Sequence, residues 1–189
     1  EALMGTLGVK MKWKGESPLQ RFLAILLQWT SPNYLTKVVT TLGSTIYWPE
    51  GRWDSSQDWA LLGTQAHEMQ HIFDDRKYWG IYKLSYVMPQ VLALLAVLSL
   101  GAIWNPLWLL SLFSLTVLVP WLIPSPRASW ELRAYKVSVA VNTLYLGYIN
   151  ADYIKAIGAD FSGPKYMWMY QNTRAIENAL TDTANSVLN

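Results

Sequence analysis

From Leu84 to Pro126 the chain carries not one Asp, Glu, Lys or Arg. A run of this kind asks for a lipid bilayer or for burial inside protein. Asn105-Pro106 divides it in two. Residues 84–104 reach the roughly 20 residues that a transmembrane helix needs, and residues 107–123 sit at the short end of that range. Pro89 and Pro120 fall in the outer parts of the two halves, where a kink is tolerable. Trp79, Trp104, Trp108, Trp121 and Trp130 cluster near the ends, as an aromatic belt does. Arg76, Lys77 and Lys83 precede the run, Arg127, Arg133 and Lys136 follow it, and the turn is uncharged. The positive-inside rule then puts both flanks in the cytoplasm. The expectation is an integral membrane protein with a transmembrane hairpin inserted over 84–126 and the lipid bilayer as a partner. The bland alternative is an apolar helical pair buried in a soluble oligomer or a large particle.

The composition bears on the same choice. Only 15% of the 189 residues are charged and 52% are hydrophobic, against a charged share of about 25% in globular domains. The length suits one domain with a sizeable core. There is no cysteine, so neither a disulfide framework nor a thiolate metal site can form. A net charge of +2 is too small to argue for nucleic acid, and none is expected as a partner.

The chemistry-bearing stretch is Gln65-Ala66-His67-Glu68-Met69-Gln70-His71, an H-E-x-x-H pattern holding both histidines of the chain. Residues four apart share one helix face, so His67 and His71 can address one metal ion. Zinc is the expected cofactor, and Glu68, beside the first ligand, is placed to take the proton of an attacking water. The flanks suit a helix. Asp54-Ser55-Ser56 offers N-caps, and Trp59, Leu62, Ala66, Met69 and Phe73 recur at three-to-four spacing as far as Trp79-Gly80. The bland reading is a surface helix with two incidental histidines.

A third ligand must come from elsewhere. Asp75 lies eight residues after His67, about 12 Å along a straight helix, too far for ligand bonds of about 2 Å. A hairpin returns the chain to the side it left, which makes Glu131 the best candidate. Its alternative is a surface glutamate pairing with Arg127 or Arg133, a contact of little weight.

The flanking segments are read more coarsely. Lys10, Lys12 and Lys14 alternate with Met11 and Trp13, as in a short strand or an interfacial segment. Ser17-Pro18 reads as an N-cap and first-turn proline before a helix to Trp29. Residues 34–41 and 45–48 are rich in β-branched and aromatic side chains, a strand signal. The second run has a use in a peptidase if its exposed edge pairs with substrate backbone. A helix opening at Ser129 runs to Asn150, Gly158 interrupts the tail, residues 160–164 form a loop, and a last helix spans 165–187. Met167, Trp168, Tyr170, Ile176 and Leu180 would cover the catalytic layer or serve as plain core.

H-E-x-x-H, then a hydrophobic hairpin, then Glu131-Leu132-Arg133-Ala134 as E-x-x-A resembles the membrane gluzincin metallopeptidases of the HtpX and CAAX-prenyl-protease type over residues 45–150. The resemblance implies zinc held by His67, His71 and Glu131, with Glu68 as the base. The family pattern continues to an aspartate that orients a ligating imidazole, and here Tyr135 stands in its place. A tyrosine hydroxyl carries no charge at neutral pH, so the departure points to weaker zinc affinity or activity unless Asp74 or Asp75 substitutes.

The fold expected is therefore mainly α with a small β element: zincin-like catalytic helices in one domain over 1–189, with the hairpin inserted at 84–126. The expected function is a zinc-dependent membrane endopeptidase acting on protein or peptide substrates, its site on the cytoplasmic side. Tyr135, Tyr145, Tyr148 and Arg174 are candidate donors to an oxyanion. The rival is a non-catalytic, membrane-inserting or structural component of a larger assembly with other subunits, such as a virion or secretion machine, keeping a vestigial or structural metal site.

Overall fold

The computed structural model describes residues 8–28, 32–49, 58–118, 125–163, 166 and 169–189, with backbone alone over 87–94 and 115–118. The chain runs through β1 (Lys10–Trp13), α1 (Pro18–Leu27), α2 (Tyr34–Lys37), β2 (Thr40–Leu42), β3 (Thr45–Trp48) and α3 (Asp58–Leu94). Two 3₁₀ segments follow, Leu95–Ile103 and Pro106–Leu118, then α4 (Pro126–Leu146), α5 (Ala151–Ser162) and α6 (Thr173–Leu188).

The three strands form one sheet in the order β1-β3-β2, with β1 parallel and β2 antiparallel to β3. The run before the motif helix is thus the central strand, hydrogen-bonded on both sides, and among the described residues β1 and β2 are the edge strands. Residues 34–37 of the other predicted strand are helical. Register fixes which side chains face α3. Met11, Ile46 and Thr41 are paired across the sheet, as are Trp13 and Trp48, so these five share one face. Ile46 and Trp48 on that face are buried, and they pack with Val9, Leu61 and Ile72.

The second core lies among the later helices. Tyr135 and Val139 of α4, Ile154, Ile157 and Phe161 of α5, and Ile176, Leu180 and Ala184 of α6 form one buried cluster. Caps decide where these helices begin. Ser125 Oγ accepts from Ala128 N–H at 3.1 Å with Pro126 in the first turn. Asn150 and Asn172 cap α5 and α6 in the same way. The helix expected from Ser129 therefore starts three residues earlier, residues 160–162 belong to α5, and the last helix starts at Thr173 rather than 165. The N-cap expected at 54–56 and the expected cover from Met167 and Trp168 lie outside the described residues.

The transmembrane hairpin is corrected. Among the described residues no helix is long and apolar enough to cross a membrane. After Leu94 the backbone tightens to 3₁₀ geometry, in segments of 9 and 13 residues. At about 2.0 Å per residue these extend roughly 18 and 26 Å, short of a hydrocarbon core of about 30 Å. An integral membrane protein with a cytoplasmic site, read from the same run and its flanking charges, is not supported either. The two segments stack on each other, with Trp108 set against Gly101.

α3 holds both cores together. It passes under the sheet and then lies along α4, and at Trp79 its backbone leaves helical geometry (φ 33°, ψ −115°). A tryptophan at positive φ is strained. The kink turns the helix back on itself: the Tyr86 ring centroid lies 5.9 Å from that of His71, although fifteen residues span about 22 Å in a straight helix.

Close approach of α3 and α4 rests on Gly63. A Cβ there would lie 2.7 and 2.8 Å from Nδ2 and Cγ of the buried Asn142, and closer still to its Oδ1. Gly63→Ala is expected to destabilise the fold by about 1–3 kcal/mol in urea unfolding, and Asn142→Ala is expected to recover most of the loss in the double variant.

Beside the sheet, Lys14 is fully buried; its Nζ donates to Tyr34 O at 3.0 Å and lies 3.5 Å over the Tyr34 ring. Burial pulls the ammonium down to about 7, with Glu68 opposing. The unfolded lysine keeps its proton to about 10.4. Between these values the unfolded chain binds a proton that the folded chain lacks, so this group makes stability rise with pH. Unfolding free energy measured from pH 7 to 9.5 is expected to climb in the wild type and to climb less in Lys14→Met.

Candidate metal centre

Helical phase brings the two histidines together. His67 and His71 stand one turn apart on the face of α3 that meets α4, with ring centroids 4.7 Å apart. Their Nε2 atoms are separated by 3.1 Å. Glu131, one turn into the facing stretch of α4 and 2% exposed, sends Oε2 to 3.3 Å from the His67 Nε2 and 3.6 Å from the His71 Nε2. The reading of Glu131 as a surface residue is excluded: Arg133 pairs with Asp74 instead, at 3.2 Å.

These three atoms suit one cation. Ligands about 2.05 Å from a tetrahedral zinc lie about 3.3 Å from one another, and the observed separations bracket that edge. Glu131 Oε2 is buried without a hydrogen-bond partner among the described residues, so nothing there competes for it. His67, His71 and Glu131 are the group that could hold a metal ion, each offering one ligand atom. In the metal-free chain they share charge. Burial would raise the Glu131 carboxyl, but His71 and then His67 outweigh it and hold it well below the usual carboxylate range. Burial would lower the His71 imidazole, and Glu131, followed by Glu68 and Asp74, outweighs that and raises it. A bound cation would take the place of that proton.

The carboxylate is aimed by its other oxygen. Tyr86 donates its hydroxyl to Glu131 Oε1, leaving Oε2 for the metal. Burial, then the Glu131 charge, pushes the Tyr86 phenol well above its ordinary value, so it stays a donor. The Arg127 guanidinium lies 4.9 Å from the centre of the Tyr86 ring. Tyr82 stacks in the same layer, 6.2 Å from the His71 ring and 5.3 Å from Trp130. Both tyrosines arrive through the kink. Eleven residues after His71, Tyr82 would lie about 16 Å further along a straight helix. Sequence periodicity ends at Trp79 and gives no sign of this return, so Tyr82, Tyr86 and Arg127 were not expected at the site.

Tyr135 is beside the site but not in the role expected of it. Its ring packs edge-on against His67 at 4.4 Å, while its hydroxyl pairs with Tyr166 at 2.6 Å. Neither Asp74 nor Asp75 takes the role of the aspartate in the gluzincin pattern. Asp74 is fully buried and accepts from Gln70 and Arg133, and Asp75 pairs with Lys83. Among the described residues the Nδ1 atoms of both imidazoles have no hydrogen-bond partner. Of the other oxyanion candidates, Tyr145 follows Glu131 by fourteen residues on the same helix, about 21 Å along its axis. Tyr148 lies beyond that helix's Gly147 cap, and Arg174 is exposed at the start of α6.

Glu68 adjoins the cluster and is 8% exposed. Thr41, on the sheet face turned to α3, donates its hydroxyl to Glu68 Oε2 at 2.6 Å. One carboxylate oxygen of Glu68 is thus tied to β2, and the bond fixes the plane of the group.

No protein-family model, curated protein or solved structure matches the chain. The likeness to gluzincins rests on the motif residues alone.

Equilibrium dialysis against zinc should find one ion per chain in the wild type and none held stoichiometrically by Glu131→Ala. Tyr86→Phe should weaken binding by about 10–100-fold, the usual weight of a group that orients a ligand. Tyr135→Phe, whose hydroxyl points to Tyr166, should leave affinity nearly unchanged.

Proposed function

We propose that the chain is a zinc-dependent endopeptidase of the gluzincin kind that hydrolyses peptide bonds in protein or peptide substrates. The observation that carries this reading is the pairing of a three-ligand cluster, His67, His71 and Glu131, with a neighbouring carboxylate that is not itself a ligand. Glu68 sits one residue from His67 and is held by Thr41. A purely structural site has no use for such an acid.

The donor set supports zinc among the metals. Two imidazoles and one carboxylate suit it, whereas calcium and magnesium take oxygen ligands. The same donors serve octahedral iron, but bonds of about 2.1 Å at right angles give edges near 3.0 Å, and all three separations here are longer. When bound, zinc lowers the pKa of a water and polarises a carbonyl.

The chain's own residues do the rest. Glu68 accepts the proton of the attacking water at its unheld oxygen and delivers it to the leaving amine. Thr41 keeps the carboxylate from turning away. Tyr86 holds Glu131 with one oxygen facing the imidazoles. Arg127, half-buried beside Tyr86 and Tyr166, places positive charge at the edge of the site, where an oxyanion can be stabilised. Among the described residues β2 is an edge strand next to Glu68, to which an extended substrate backbone can pair.

Casein cleavage by the zinc-loaded protein is expected to fall by about 10²–10⁴-fold in Glu68→Gln, the usual weight of a general base, with metal content unchanged by elemental analysis. Thr41→Val should lower kcat by a smaller factor and Thr41→Ser should restore it. Zinc retained by both proteins with cleavage by neither would leave a structural metal site in place of the enzyme.

A further inference from the structure

A second concavity opens at the opposite edge of the sheet from Glu68. Its volume is about 710 Å³, within the range of about 300–1,000 Å³ typical of ligand pockets. The inner face of β1 roofs it, because the pairing of Trp13 with Trp48 turns both indoles toward α3. Leu61 and Leu62 of α3 lie opposite, and Tyr145 closes one side from α4.

Three aromatic side chains therefore surround the space. Its polar lining is unbalanced in sign. Glu16 and Asp58 contribute two carboxylates, and Lys12 contributes one ammonium. Among the described residues neither acid takes part in an ion pair. Aromatic faces attract cations through their quadrupole, more strongly where water is excluded. A purely apolar guest would leave both exposed carboxylates without a charge partner.

The third observation concerns the backbone. β1 is an edge strand, with no neighbour on its outer side among the described residues. An extended peptide added to that edge would place every second side chain on the sheet face that carries Met11 and Trp13. That face is the roof of the cavity.

We propose that this cavity takes a lysine or arginine side chain of an extended peptide paired along β1. Main-chain hydrogen bonds to the strand would carry the peptide, and the aromatic walls with Glu16 and Asp58 would select the basic residue. The site is separate from the metal centre and does not depend on hydrolysis there.

The test is calorimetric titration of the Glu68→Gln protein with capped pentapeptides that differ only at the central position. Arginine should bind at least about tenfold more tightly than norleucine, a difference of about 1.4 kcal/mol, and glutamate more weakly than both. Glu16→Gln with Asp58→Asn, both at exposed positions, should erase the advantage of arginine over norleucine. Trp13→Ala should weaken the arginine and norleucine peptides alike, with circular dichroism reporting that the fold is kept. Equal affinity for arginine and norleucine, no saturable binding, or an arginine preference untouched by the acid substitutions would each overturn the proposal. Binding is read without turnover, so a chain that cleaves nothing would sink the peptidase reading and leave this one standing.

Discussion

The structure turns on one buried carboxylate. Glu131 reaches from α4 to two imidazoles on α3, and an unpaired charge in so enclosed a place would be strongly destabilising. One oxygen takes the Tyr86 hydroxyl, and the other, without a hydrogen-bond partner among the described residues, faces the Nε2 pair at ion-pair distance. Everything that presses α3 against α4 serves this meeting. Gly63 lets the helices close upon Asn142, and the Asp74–Arg133 pair clasps them just beyond the histidines. The sheet and the α5–α6 layer then back the two helices from outside, each with its own core.

How much of this the sequence discloses depends on the range over which each signal acts. Helical phase is local, and it correctly put His67 and His71 on one face. Distance along a straight helix ruled out Asp75, and Glu131 followed as the acid brought back by the chain's return. Ser17-Pro18 announced α1 through its cap. The same dipeptide logic at Ser125-Pro126 is hidden, because those residues close an uncharged run that hydropathy assigns to a hairpin. That run was misread for a physical reason: hydropathy measures affinity for an apolar medium, but not whether the backbone keeps the rise and length needed to cross one. The strands show a similar limit. β-branched residues marked 45–48, but only pairing to β1 and β2 reveals that this strand is the central one.

Tyr135 shows what substitution by type does not say. At the position where the gluzincin pattern carries an orienting acid, a tyrosine invites the idea of a weaker hydrogen bond to the same partner. Here the ring does the work by packing on His67, and the hydroxyl turns to Tyr166. Contact area rather than a directional bond holds the imidazole, and the hydrogen bond to the cluster comes from Tyr86. That residue lies far from the motif along the chain, and no local pattern points to it.

Its arrival depends on the bend at Trp79. Past that point each residue advances the helix by about 100° around its axis, so the number of residues between His71 and Tyr86 sets the direction in which the phenol points. One residue inserted or removed in the interval would swing Tyr82 and Tyr86 away from Glu131 together while leaving every side chain's chemistry intact. The interval thus acts as a spacer of fixed length. Relatives of this chain would be free to change the identity of most residues within it but not their number.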